Sequence, residues 1–206
     1  MDMKGRIQEK ANELFRRYGI KSITMDEIAT QLGASKKTLY QYFSDKDELV
    51  ESVVSEIIQY AQNICDSNQA SSRDAVHELF AAIEFIQEIF TDMNPAMMYD
   101  LERYHPKAYR HFLNYKNRYL FDIIRTNLKR GIGEELYRPE INIDIVARFR
   151  LEGMMLAFNP DVFPTSKYTL AELHKELIDQ FLFGVASLKG YKLIIKYQQE
   201  RIKLNQ

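Results

Sequence analysis

The sequence contains one cysteine, no tryptophan, five prolines and eight glycines in 206 residues. A single thiol, Cys65, excludes an internal disulfide and fits a reducing compartment. So few turn-formers argue against many short strands and favour long helices. An excess of one charge is missing as well: 28 Lys or Arg face 29 Asp or Glu, a formal net charge of −1. That balance by itself points to no polyanionic partner. No apolar run approaches membrane-spanning length, and Lys4, Arg6 and Glu9 interrupt any leader-like stretch near the start. The expectation is a soluble cytoplasmic chain, long enough for one small and one medium domain with a real core.

Clustered chemistry is also scarce. Glu102 and His105 have the Glu-x-x-His spacing of di-iron helix bundles, which need two such elements and further carboxylates. A second copy is lacking, and Pro106 follows the histidine directly and disrupts the helix it would need. Cys65 has no evident His partner, and His77, His111 and His174 are scattered. The expectation is a non-enzyme with no metal and no cofactor.

What is present is concentrated between Thr24 and Lys46, TMDEIATQLGASKKTLYQYFSDK. Thr24 with Glu27 three positions later is a capping box, and Ile23 with Ile28 fits a hydrophobic staple. Ile28, Ala29 and Leu32 form the inward stripe of that helix. Gly33 stands where a left-handed residue ends a helix, and Ser35 is a good N-cap for the next one. With only Ala34 between stop and start, the two helices meet steeply, as in a helix-turn-helix. The second helix, about Lys36 to Phe43, buries Leu39 and Phe43. It leaves Lys36, Lys37, Thr38, Tyr40, Gln41 and Tyr42 on open faces. Lys can donate to guanine and Gln can pair with adenine, while hydroxyls, Lys46 and helix-start N–H groups suit phosphates. Residues 1–46 carry nine Lys or Arg against six Asp or Glu, a local excess of +3 on a nearly neutral chain.

These residues resemble the DNA-binding domain of the TetR family of transcriptional regulators. The matching pieces are a first helix ending FRRYG (Phe15 to Gly19) and the run ITMDEIATQLGASKKTLYQYFSDKDEL (Ile23 to Leu49), with LYQYFSDKDEL the most specific portion. The resemblance covers about a quarter of the chain. It implies an all-α fold: a three-helix helix-turn-helix domain over 1–46, then a larger helical effector-binding and dimerisation domain over 47–206. It also implies a homodimeric repressor on a near-palindromic double-stranded operator, released by a small molecule. Thr24, Ser35, Tyr40, Tyr42 and Lys46 would contact phosphates, and Lys36, Lys37 and Gln41 would read bases. Many relatives have a small residue at the place of Lys37. A helix from about Lys46 to Asn68 would be the lever of the switch. The alternative is a TetR-like protein without an effector, acting in DNA organisation or through a protein partner.

Further along, helices are expected over about 75–92, around Met97–Tyr99, from Pro106 to about Arg130 where Gly131 and Gly133 end it, and over 143–158. Another runs from the Thr169 cap through Lys189, where Gly190 interrupts, before a tail helix ending near Asn205. Residues 85–121 are dense in Phe, Tyr and Met, side chains suited to an adaptable apolar pocket. The effector candidates are Phe85, Met97, Tyr104, Phe112, Tyr115, Tyr119 and Arg148. Arg148, Arg150 and Glu152 lie in the otherwise apolar run IVARFRLEGMMLAF. Solvated or dimer-rim positions are the first expectation for them; one that faced inward would be paired or would await an anionic group. Apolar stripes on the last two main helices mark the expected dimer interface: Phe149, Gly153, Leu156, Leu177, Phe181, Gly184 and Leu188.

Overall fold

Capping and periodicity divide the chain into helices at nearly every expected place. The structure, a computed structural model, describes residues 2–204. Its elements are α1 (Met3–Tyr18), α2 (Met25–Leu32), α3 (Lys36–Tyr42), α4 (Lys46–Ser71), α5 (Ala75–Phe90), α6 (Ala96–Tyr104), α7 (Pro106–Asn114), a π-helical turn (Tyr115–Leu120), α8 (Phe121–Gly133), α9 (Ile143–Leu156), α10 (Leu170–Val185) and α11 (Leu188–Leu204). The expected end of the tail helix near Asn205 lies outside the described residues. Among the described residues there is no strand, only an isolated antiparallel bridge between Tyr137 and Ala186.

The chain forms two compact units, residues 1–62 with 92–115 and residues 63–91 with 116–206. In the first, Asp2 caps α1 by accepting from the Gly5 N–H at 2.8 Å. One face of α1 then buries Ile7, Ala11, Leu14 and Phe15. Helices of 7 to 16 residues are marginal in isolation and depend on tertiary packing of their apolar faces. Leu49, Val50, Val53, Val54 and Ile58 of α4 therefore enter the same core, joined by Met97 and Leu101 of α6 and Ala108 of α7. This compact unit extends beyond the 1–46 stretch that the sequence marked. Polar contacts tie the added helices to the head: the Asn94 N–H donates to the Arg16 carbonyl at 2.6 Å, and the buried Asp100 carboxylate accepts from the Lys21 N–H at 2.8 Å.

The second unit buries Phe80, Ile83, Leu128, Ala147, Ile178, Leu182 and Ile194 around Tyr137. The Tyr137 hydroxyl lies 3.1 Å from both the Ala75 carbonyl and Asn127 Oδ1, so its burial leaves no polar group stranded. Arg130 bridges Glu134, the buried Glu78 and the Ser72 carbonyl at 2.7, 3.2 and 2.9 Å. Two boundaries differ from expectation here. The α10–α11 break falls at Ala186 and Ser187 rather than at Gly190, because Arg138 N–H donates to Val185 O and Ser187 N–H donates to Leu136 O, each at 2.9 Å. Gly190 lies inside α11, pressed on the Leu136 carbonyl. Gly131, likewise, does not end α8 but makes room for the Tyr137 ring, and the helix runs on to Gly133.

Candidate nucleic-acid interface

Local chemistry places α2 and α3 as the sequence indicates. Thr24 Oγ1 accepts from the Glu27 N–H at 3.2 Å while Glu27 Oε2 accepts from the Thr24 N–H at 2.7 Å, completing the capping box. Those bonds hold the Glu27 carboxyl below its ordinary pKa. Gly33 ends α2 in the left-handed region at φ 65°, where an L side chain would be strained. Ser35 Oγ accepts from the Thr38 N–H at 3.0 Å, starting α3 a few residues later. Leu39 and Phe43 are buried and anchor α3, so its opposite face is turned out.

That face divides into engaged and open groups. Lys37, Tyr40, Gln41 and Tyr42 are exposed, Tyr42 at 41%. Lys37 has no ion-pair partner among the described residues. Lys36 is paired with Asp26 of α2 at 2.8 Å, and the Asp26 hydrogen bond and charge raise its pKa. The sequence reading missed this pairing. An acidic residue on the outer face of α2 was its only signal. Thr24 donates its hydroxyl to Glu27 at 2.9 Å, and the Ser35 and Thr38 hydroxyls bond each other at 2.8 Å. Lys46 does not project freely toward a phosphate, for its Nζ donates to the Ile20 carbonyl at 2.6 Å and burial lowers its pKa.

The effector candidates are not gathered in the same way. Met97, Phe112 and Tyr115 pack in or against the core of the first unit, and Tyr104 is exposed beneath the Lys21 ammonium at 4.9 Å. In the second unit, Tyr119 donates its hydroxyl to Asp66 at 2.5 Å, Arg148 lies 3.9 Å over the Phe121 ring, and Phe85 is half-buried. Of these candidates only Met97, Phe112 and Tyr115 join a core cluster, and a period-3.6 apolar stripe looks the same in sequence whether it lines a core or a pocket. An open groove of about 490 Å³ in the second unit is lined by Leu136, Leu188, Lys189, Lys192, Leu193 and Lys196, none of them an effector candidate.

Of the expected interface, Phe149 is 76% exposed, aligned on α9 with exposed Ile145 and Leu156, and Leu188 is exposed at the start of α11. A Cβ at Gly153 or Gly184 would meet nothing within 4 Å. Leu177 is half-buried. Phe181 must be reassigned: it is buried in the core of the second unit, on the inward face of α10.

Two short helices joined by a tight turn, the second polar, basic and tyrosine-bearing, are the device of a helix-turn-helix DNA-binding protein. Residues 7–53 match the family model described as bacterial regulatory proteins, tetR family. Residues 7–53 thus carry the DNA-binding domain of the TetR family of transcriptional regulators. The chain is 25% identical over 189 residues to the uncharacterised helix-turn-helix-type transcriptional regulator YvaF of Bacillus subtilis (strain 168), covering 90% of this chain and 96% of that one. The fold is similar to that of a TetR-family regulator from Agrobacterium tumefaciens, with a TM-score of 0.75 at 18% identity, covering 89% of this chain and 97% of that one. It is also similar to FadR of Thermus thermophilus, a TetR-family repressor solved in complex with lauroyl-CoA. There the TM-score is 0.55 at 22% identity, covering 89% and 95% of the two chains. Among the described residues, no helix is long and apolar enough to cross a membrane and no His, Cys, Asp and Glu cluster could hold a metal.

Proposed function

We propose that the chain acts as a homodimeric repressor that occupies a near-palindromic operator and leaves it when a small molecule binds the helical unit formed by residues 63–91 and 116–206. The observation that carries this reading is the outward face of α3, which presents Lys37, Tyr40, Gln41 and Tyr42 from a helix anchored by buried Leu39 and Phe43. Lys37 and Gln41 suit base edges, while Tyr40 and Tyr42 suit phosphates. Lys36 joins the base readers once a DNA acceptor replaces Asp26, and Lys46 supports the head from within. Repression and ligand release are supported by the likeness to FadR, which is a repressor bound to an acyl-CoA.

Selection of bound sequences from random duplex, followed by mobility shifts with the selected site, tests the reading. A near-palindrome is expected, and recovery of an asymmetric single half-site would overturn two-fold binding. Lys36→Ala is expected to relax base preference at its contacted position by on the order of 10- to 100-fold, with little change on random duplex. Equal losses on both duplexes would remove Lys36 from the base readers. Tyr42→Phe, by contrast, should weaken binding to all sequences alike by removing a phosphate donor.

The dimer rests on the exposed apolar row of α9. Large apolar side chains standing proud of a surface cost solvation unless a partner covers them. Phe149→Asp is therefore expected to convert the dimer to monomer in light scattering and to reduce operator affinity by on the order of 100-fold, since the second half-site no longer binds intramolecularly. An unchanged mass would place the interface elsewhere.

A further inference from the structure

Helices α2 and α3 together carry two carboxylates, and one of them is consumed locally. Glu27 accepts from the Thr24 N–H and from the Thr24 hydroxyl in the capping box. The other, Asp26, stands in the first turn of α2 and reaches the first residue of α3. Its two oxygens lie 2.8 and 3.0 Å from Lys36 Nζ. Both side chains are more than half exposed, so the pair faces solvent. The Lys36 ammonium also stands 5.9 Å over the exposed Tyr40 ring, which puts the pair on the outward side of α3.

An exposed ion pair of this kind adds little to stability. On a DNA-facing surface its acidic half is a liability, because a carboxylate that meets phosphates is repelled. A donor on the DNA removes that penalty, and in the major groove the donors are the exocyclic amines of cytosine and adenine. Asp26 and Lys36 thus present one acceptor and one donor side by side, and a base pair offers the complementary set. In a G·C pair guanine O6 accepts from cytosine N4, so an acceptor and an amine with a second, free N–H lie about 2.9 Å apart on the groove edge. We propose that Asp26 and Lys36 read one G·C pair of each half-site as a unit, Lys36 donating to guanine O6 and N7 and Asp26 accepting from cytosine N4. The reversed C·G pair sets ammonium against amine and carboxylate against O6 and N7. A T·A pair keeps the order of acceptor and donor, but it puts the thymine methyl where the lysine meets N7 and adenine N7, an acceptor, beside the carboxylate. An A·T pair reverses the order and fails as C·G does. Asp26 is then a specificity-determining residue that penalises wrong pairs more than it rewards the right one.

This assignment deepens the operator reading and rests on it. Selection from random duplex tests it with the full-length wild type beside Asp26→Ala, Lys36→Ala and the double variant. The wild type is expected to select a G·C pair at a position that both single variants relax, each by on the order of 10- to 100-fold. The double variant should lose no more than the worse single one, because the two groups act on one base pair. On duplexes with another pair at that position, Asp26→Ala should bind as tightly as the wild type or more tightly, which a merely structural loss would not give. Asp26→Ala that tightens binding to every duplex alike makes Asp26 a general brake on DNA and overturns the assignment. Relaxation by the two single variants at different positions overturns it too. Substituted duplexes test the wild type alone and decide the matter should a variant not fold. Hypoxanthine in place of guanine removes only the minor-groove amine and should leave affinity unchanged, whereas T·A and C·G at that position should each weaken binding by on the order of tenfold or more. Equal binding of T·A or C·G, or a loss with hypoxanthine as large as theirs, overturns it. A wild type that selects no sequence sinks the operator reading together with this one, whereas a selected operator without the shared G·C position sinks this one alone.

Discussion

Gly190→Ala is expected to lower the thermal midpoint by roughly 6–12 °C, although it replaces a poor helix former with the best one in the first turn of α11. Propensity alone predicts a gain of about 1 kcal/mol. The tertiary contact reverses the sign. A Cβ at position 190 would lie 1.9 Å from the Leu136 carbonyl oxygen and 2.9 Å from its carbon, and both atoms are backbone, which has no alternative rotamer. That carbonyl also accepts from the Ser187 N–H at 2.9 Å, so moving it away breaks the link that ends α10. Overpacking against backbone with loss of a buried hydrogen bond is expected to cost roughly 3 kcal/mol net, which for a chain of this size gives the stated shift. Calorimetric melting checks it, with Gly133→Ala as the control. A Cβ there meets nothing within 4 Å, and that variant should be neutral or slightly more stable. A Gly190→Ala protein that melts with the wild type would show that α11 does not seat on the 134–138 loop.

Acid is expected to destabilise the second unit through His174. Burial, and then the nearby Arg150 charge, lower its pKa from about 6.5 to about 4. The unfolded chain therefore binds the proton more readily than the folded one. Between those two values, stability falls as pH falls. Above about 6.5 both states are neutral at this residue and its contribution is flat; below about 4 both are protonated and the loss is complete. A difference of this size is worth roughly 3 kcal/mol. His174→Phe keeps a ring against Phe90 and Phe158 and removes the titration. Denaturant melts from pH 7 to pH 4 should therefore show a steeper decline for the wild type than for the variant. Parallel curves would mean that the imidazole already carries its proton when folded, or is solvated.

The DNA-reading head was legible because everything that builds it is local. The capping box at Thr24 and Glu27, the left-handed Gly33, the Ser35 cap and the burial of Leu39 and Phe43 are set by residues within a few positions of one another. The structure bears out each of them. The Lys36–Asp26 pair and the seating of Lys46 on Ile20 span 10 and 26 residues, and neither could be read from spacing. The second unit was legible only as a set of helices. Glycine shows the difference best: Gly131 and Gly190 read as helix ends, yet both are close-approach positions required by Tyr137 and Leu136. The same holds for the apolar stripe of α10, where Phe181 serves the core and not a partner. The π-helical turn at Tyr115–Leu120, which carries Lys116 buried against Glu152 at 2.9 Å, had no sequence signal at all.

From its sequence alone, the chain determined that it is helical, where most helices begin, and that its third helix presents lysines, tyrosines and a glutamine outward. Caps and apolar periods act over one or two turns, so they survive in the linear text. Tertiary structure alone decided which of three neighbouring charged residues on α9 is buried, where α10 stops, and which lysines of the head are already engaged. Those outcomes depend on which distant carbonyl or carboxylate comes within about 3 Å of a given side chain, a distance that only packing sets.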